Sequence, residues 1–346
     1  MSGIETGSGR VEESAVVVAA RAGDQSAFAG LVERYRRELQ VHCYRMLGSY
    51  QDSEDMVQET FLRAWRKRES FHGRSTFRAW LYRIATNACL DTLAQRPRRV
   101  LPYDVAPAAM DPNGPLPLVS GFAWLEPYPD HLLVDIAAGD EEPEAVIVAK
   151  ETIELAFLAA IQHLPPKQRA VLILRDVLGW SANETGALLE VSVAAVKSAL
   201  QRGRATLQKH LPARRVEWAP TAEPTEEEHA VLRRYMTAHE RGDAEALAAV
   251  LREDVRVSFP PLPLWAEGRE AFITGSRKHA AVGEYRLIPT RANRQPATAI
   301  YLRRPGDSAF RPLTLEVLRI EHGKVAEIID FSDPDLLAAF GLPPTL

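Results

Sequence analysis

Between Leu101 and Ala149 the chain carries nine acidic residues and eight prolines without a single Lys or Arg, and this constrains the fold more than any other feature. Proline removes a backbone donor and clashes with the turn before it, while a block of like charge repels itself. No long helix and no apolar core is expected there before about Glu144. The stretch therefore divides the 346 residues into separate modules joined by an extended linker. Its run Phe122-Ala-Trp-Leu-Glu-Pro-Tyr128 is aromatic-rich for a connector, so part of it is expected to dock on something. The remainder is open to two readings: a passive spacer, or a shield for a basic surface elsewhere in the chain.

Such a surface lies just before it. From Arg63 to Arg99 there are ten Lys or Arg against two acids, Glu69 and Asp91, a local balance of plus eight. That is the footprint of a phosphate-binding face. Read as helices, Ser53–Arg99 gives two amphipathic segments. In the first, Met56, Val57, Thr60, Phe61 and Ala64 recur at helical spacing and form the buried side. Asp55, Gln58, Glu59, Leu62 and Arg66 fall opposite, so Leu62 stands among polar residues where solvent is expected. A mixed face of that kind suits a protein partner, and it equally fits a solvated helix with one stray leucine.

In the second segment Phe77, Leu81, Ile84 and Ala88 make the buried stripe, and Trp80, Arg83 and Asn87 line one edge behind the loop His72-Gly73-Arg74-Ser75. Arginine interleaved with aromatics stacks on unpaired bases. Trp65 and Phe77 read as core, whereas Trp80 reads as a stacking surface.

DMVQETFLRAW followed by GRSTFRAWLYRIATNACLD resembles region 2 of the extracytoplasmic-function (ECF) sigma factors of the sigma-70 family. The resemblance implies that Asp55, Gln58, Glu59 and Leu62 contact core RNA polymerase, at the clamp helices of its largest subunit. It implies also that Arg74, Ser75, Thr76, Trp80, Arg83 and Asn87 contact the melted −10 strand of promoter DNA. Asp91 reads as a capping or structural residue. The resemblance adds a third reading of the acidic linker, that it lies in the polymerase channel that nucleic acid otherwise fills, as the linkers of resembling proteins do.

A second element agrees. In residues 162–211, Ser181 with Glu184 forms a capping box, Glu190-Val191-Ser192 makes a turn, and Ser192 caps a further helix. Val193, Val196, Leu200, Gly203 and Leu207 form the buried stripe of that helix, leaving Lys197, Ser198, Gln201, Arg202 and Arg204 exposed. This is a helix-turn-helix, whose second helix enters the major groove. With the leading LPPKQRAVLILRDVLGWS it resembles region 4 of the same family, which implies −35 recognition by Ser192, Lys197, Ser198, Gln201, Arg202 and Arg204. Ala195 and Ala199 depart from the Thr or Arg often carried there, so the −35 preference does not transfer.

From about Pro220 a helical pattern, Glu226 to Arg241, and a second helix through Leu251 precede strand-like runs at Val255–Phe259, Tyr285–Arg291, Ala297–Arg303, Leu313–Ile320 and Val325–Asp330. Gly306-Asp307 and His322-Gly323-Lys324 read as hairpin turns. The expectation is an α+β cone with a curved antiparallel sheet. AHERGDAEALAAVLREDVRVSFPP and GKVAEIIDF resemble SnoaL-like domains, related in fold to ketosteroid isomerase. That resemblance implies an apolar pocket lined by Tyr235, His239, Phe259, Trp265 and Phe331, with Asp330 as a base beside His239, and so room for a small-molecule ligand.

The chain thus reads as multidomain: two all-α modules, sigma region 2 over 15–99 and helix-turn-helix region 4 over 145–215, an acidic Pro-rich linker over 100–144, and a SnoaL-like α+β domain over 220–346. The functional expectation is a sigma factor with a C-terminal domain regulating it in cis, and not an enzyme. The alternative is a SnoaL or ketosteroid-isomerase-like enzyme carrying a DNA-binding front end. Cys43 and Cys89 lie at no metal-like spacing, so neither a metal site nor a disulfide framework is expected, and no cofactor is called for. No 18-residue apolar run and no apolar leader core appears, so the expected location is cytoplasmic, with no membrane partner.

Overall fold

The computed structural model describes residues 15–73, 75–109, 121–133, 153–211 and 225–346. They group into two compact units. Of these, the described residues in 15–96, residue 133 and 163–210 build the first, and those in 97–132, 153–162, 211 and 225–346 build the second.

In the first unit α1 (Gln25–Leu47) begins where the Asp24 side chain accepts from the N–H groups of Ser26 and Ala27, at 2.9 and 3.0 Å. Leu31, Tyr35, Leu39, Cys43 and Met46 recur along its buried side. Gly48, at φ +71°, closes it and returns its N–H to the Tyr44 carbonyl, and Ser49 at once caps α2 (Tyr50–Arg66). Glycine is needed there because the left-handed turn between the two helices is costly for any residue with a Cβ. Thr76 caps α3 (Phe77–Leu93), accepting from Ala79 N–H at 3.1 Å. Val57, Phe61 and Ala64 of α2 and Phe77, Leu81, Ile84 and Ala88 of α3 are buried as the periodicity predicts, and Ala85 and Cys89 join them in the core. Cys43 and Cys89 are both buried free thiols.

A two-residue pair of strands comes next in the chain: β1 (Arg99–Val100) runs parallel to β2 (Ala123–Trp124). Then follow α4 (Leu155–Gln162), α5 (Pro166–Leu172), a π-helical turn at Ile173–Val177, α6 (Ala182–Leu189) and α7 (Val193–His210). From α5 onward these helices belong to the first unit, where Tyr82 of α3 meets Trp180 at 5.4 Å between ring centroids. The buried Arg169 side chain bonds the carbonyl oxygens of Met46 and Leu164.

The second unit carries α8 (Glu226–Arg241), opened by the capping box Thr225–Glu228, and α9 (Ala244–Val250). Strands β3 (Leu251–Ser258), β4 (Trp265–Glu267), β5 (Glu284–Ala292), β6 (Gln295–Arg303), β7 (Arg311–Glu321) and β8 (Lys324–Phe331) follow, with α10 (Arg269–Ala280) between β4 and β5 and α11 (Leu336–Ala339) at the end. The sheet order is β4-β3-β8-β7-β6-β5, open at both edges. An all-antiparallel sheet was the expectation, but β3 runs parallel to β8. No hairpin fixes its direction, because most of the domain intervenes between the two strands. The β5–β6 turn is Asn293-Arg294, with φ of +57° and +62°, and the β7–β8 turn is His322-Gly323, at +50° and +69°. Left-handed pairs of this kind match the twist of adjacent strands.

The acidic connector is not free. Its described residues 97–109 and 121–132 fold with the second unit, and so does α4. Tyr128, with no exposed surface, donates its N–H to Asn293 Oδ1 at 2.8 Å and accepts from Asn293 N–H at 2.9 Å. Asn293 Nδ2 donates in turn to Ile153 O at 2.7 Å, and Leu155 N–H to Gln295 Oε1 at 3.1 Å. Asp130 pairs with Arg291 at 3.2 Å, and the Trp265 indole donates to Ala106 O at 2.8 Å. Leu101, Leu125 and Tyr128 are sealed from solvent by this docking, and each such side chain contributes on the order of 2 kcal/mol. The aromatic run therefore finds its dock within its own chain, through residues far along the sequence that composition does not disclose.

Candidate nucleic-acid and polymerase interface

The outer face of α2 presents Asp55 and Gln58 to solvent, with Leu62 51% exposed beside them. Glu59 is half-buried and held by Arg63 at 2.7 Å. Arg63 also reaches Asp91 of α3 at 3.0 Å, so Asp91 is a structural ion-pair partner between two helices. An apolar side chain fixed on a rigid helix and ringed by acidic and amide groups is the pattern of an interface anchor.

Along α3 the expected edge divides. Ser75, Thr76, Arg83 and Asn87 are exposed, although Thr76 spends its hydroxyl on the helix cap. Arg74 lies outside the described residues. Trp80, expected on the exposed edge, is 5% exposed and packs between Phe71 and Phe77, with ring centroids 5.3 and 5.4 Å away. The reason is Phe71, which the sequence leaves in a loop but which folds back over α3 and covers the indole. Trp65 packs on Phe28 at 5.0 Å, as core.

The helix-turn-helix forms as its caps predict. Ser181 and Glu184 bond reciprocally at 3.1 and 2.7 Å, and Ala195 N–H donates to Ser192 Oγ. Glu190 takes the left-handed conformation at φ +57°. A Cβ at Gly186 would lie 2.8 Å from the Val191 carbonyl, so only glycine lets the turn close onto α6. Gly203 of α7 is buried, and a Cβ there would meet Leu172 and Leu164 at ordinary contact distances of 3.6 and 3.8 Å. Ser192, Lys197, Ser198, Gln201, Arg202 and Arg204 are all exposed. Arg202 bonds Ser198 one turn away, while Arg204 forms a forked pair with Asp176 at 2.6 and 2.8 Å.

In the C-terminal domain a cavity of about 400 Å³ opens between α10 and the sheet. His239, Phe259 and Asp330 line it as expected. Tyr235 and Trp265 do not. The Tyr235 hydroxyl reaches Glu316 at 2.9 Å from the core, and Trp265 is turned to the connector. Phe331 is buried without lining the cavity. The residue that sequence reasoning missed is Glu316, 2% exposed and the direct cross-strand partner of Asp330. Burial pushes both carboxyls up, Asp330 to about 6 and Glu316 well above the usual carboxylate range, with the Asp330 charge adding to the effect on Glu316. The only sequence signal is a lone acid inside Leu313–Ile320.

A helical module with an exposed partner face, joined to a helix-turn-helix with a polar reading helix, defines a promoter-binding transcription initiation factor. Sigma-70 region 2 matches residues 31–99 and Sigma-70 region 4 matches residues 154–207. The chain is similar to the ECF RNA polymerase sigma factor SigG of Mycobacterium tuberculosis, 41% identical over 94% of this chain and 86% of the relative. It is 35% identical to the ECF sigma factor SigW of Bacillus subtilis over 55% of this chain and 91% of that one. The crystal structure of the ECF sigma factor SigJ of Mycobacterium tuberculosis shares the fold, with a TM-score of 0.57 at 21% identity over 91% of this chain and all of that one.

The chain belongs to the ECF sigma factors of the sigma-70 family. As such it binds core RNA polymerase and promoter DNA and starts transcription, a non-enzymatic role. The C-terminal domain has the helix-and-sheet arrangement of SnoaL-like folds, with its sheet open. Among the described residues no helix is long and apolar enough to cross a membrane.

Proposed function

We propose that Asp55, Gln58, Glu59 and Leu62 dock on core polymerase, that Arg74, Ser75, Thr76, Arg83 and Asn87 meet the melted −10 strand, and that the exposed face of α7 reads the −35 duplex. Trp80 acts there by supporting the loop from beneath, packed between Phe71 and Phe77. The modules run over 15–99, 145–215 and 220–346, and the factor works in the cytoplasm, where its polymerase is.

The C-terminal domain controls the factor in cis. One observation carries this reading: Tyr128 of the connector is hydrogen-bonded into the C-terminal domain at Asn293, and the start of region 4 at Asn293 and Gln295. The domain therefore holds the tether whose free length sets how far apart the two DNA-binding modules reach. A ligand or contact that favours the gripped or the released tether shifts the fraction of competent factor. Run-off transcription with core polymerase tests both parts. The full chain should direct a promoter-specific transcript, and Asn293→Ala should change its yield severalfold. No transcript from either protein sinks the initiation reading at these residues, and equal yields sink cis control.

A further inference from the structure

The cavity beneath α10 has an apolar wall and an acidic floor. Phe259, Leu264, Phe272 and Ile300 line it, and Glu316 of β7 and Asp330 of β8 face each other across the strands at one end. Glu316 Oε2 accepts from the Tyr235 hydroxyl, while no group among the described residues bonds its Oε1. Asp330 receives only hydroxyl groups, those of Thr314 and Ser332. Among the described residues neither carboxyl has a Lys, Arg or His ion-pair partner, although Glu316 is almost wholly buried. Two carboxyls without a counter-cation in an apolar setting are costly, and an occupant that brings the missing positive charge recovers that cost.

We propose that this cavity is a binding site for an apolar amine, its ammonium seated at Glu316 and Asp330 and its hydrocarbon body lying along Phe259 and Phe272. Three features select that chemistry. Aromatic faces attract a cation as well as apolar surface. An anionic ligand is repelled by the acid pair. A ketone or alcohol can accept a hydrogen bond from a protonated Glu316 but leaves the Asp330 charge uncompensated. An amine entering uncharged takes the carboxyl proton and becomes the ammonium of an ion pair, so the proton stays within the site. Arg304 also lines the cavity, but it is exposed, so water screens its charge. The volume, about 400 Å³, accommodates a bicyclic skeleton.

The test uses the full-length protein and four probes on one skeleton: 2-(aminomethyl)naphthalene, 2-naphthylmethanol, 2-acetonaphthone and 2-naphthoate, each titrated calorimetrically. The amine should bind one per chain, at least about tenfold tighter than the alcohol or ketone, with the naphthoate weakest. Glu316→Gln and Asp330→Asn should each erase the amine's advantage over the alcohol. Gly275 lines the cavity and a Cβ there meets nothing within 4 Å, so Gly275→Leu should fill the space and abolish binding of every probe. A ketone or alcohol that binds as tightly as the amine overturns the proposal. So does amine binding unaffected by Gly275→Leu, or no amine binding to protein with a native circular dichroism spectrum. Because binding is read directly, failure here leaves the initiation role and cis control standing.

Discussion

Asn293 and Tyr128 hold each other by a reciprocal pair of backbone-directed hydrogen bonds, 2.8 and 2.9 Å long, across 165 residues of sequence. The same asparagine side chain also binds the Ile153 carbonyl, so one buried turn residue clasps the connector at Tyr128 and the start of the region 4 segment at Ile153. Asparagine suits the position twice over, since it tolerates φ of +57° and presents a donor and an acceptor together.

Asn293→Ala removes two buried side-chain bonds and places alanine in a left-handed turn. A loss of about 2–4 kcal/mol is expected for this domain. Limited proteolysis of the full chain should show new cleavage within 97–132. An unchanged cleavage pattern would mean that the clasp does not hold the connector.

Replacing Gln58 and Leu62 together by alanine should weaken binding to core polymerase at least about tenfold, because Leu62 is the exposed apolar anchor of α2. Neither side chain is buried, so the melting temperature should stay within about 2 °C of the parent. Surface-immobilised core polymerase gives the affinity. Parental affinity would assign the face to solvent.

Arg202 is exposed on α7 with Ser198 as its one partner among the described residues, whereas Arg204 is engaged by Asp176. Arg202→Ala should weaken binding to the −35 duplex and lower the salt slope of log K by about one. Arg204→Ala should cost less, since Asp176 already competes for that guanidinium. Fluorescence anisotropy across a salt series separates the two, and the reverse ranking would refute the assignment.

The two units should respond to pH with opposite sign. His42 is buried against Thr86 at 2.9 Å, and burial, aided by Arg45 and Arg78, lowers its pKa to about 3. The unfolded histidine takes up a proton near pH 6.5 and the folded one does not, so stability falls as pH drops below 6.5, by about 2 kcal/mol at pH 5. His42→Gln should flatten the urea midpoint over that interval. Glu316 and Asp330 are raised by burial, so the folded C-terminal domain keeps protons that the unfolded chain releases near pH 4, and its stability falls as pH climbs from 4 through 6. Glu316→Gln should raise the stability of that domain at pH 8 by about 1–2 kcal/mol. Thermal melts at pH 5 and pH 8 show both trends, and matching pH profiles in parent and variants would refute them.

Local chemistry made much of the fold readable. The caps at Ser181 and Ser192, the buried stripe of α2 and the stray Leu62 are consequences of helical period and short-range bonding, which a single strand of text contains; the cap at Thr76 is equally local but reads instead as a DNA contact. Glu316 was not readable, because β7 is covered on both faces and its burial shows no alternation to mark which side an acid takes. Trp80 misled for a related reason: its cover, Phe71, comes from a loop whose path depends on tertiary packing. The docking of the connector was hidden most completely, since Asn293 and Gln295 carry no mark of partners so distant in sequence.

That distance has a consequence during synthesis. At roughly 5–20 residues per second, translation reaches Asn293 some 8–33 s after Tyr128 has been made. Region 2, the connector and region 4 all leave the ribosome before their clasp exists. Each newly made molecule therefore passes through an interval in which region 2 and region 4 are already made and the connector is not yet clasped.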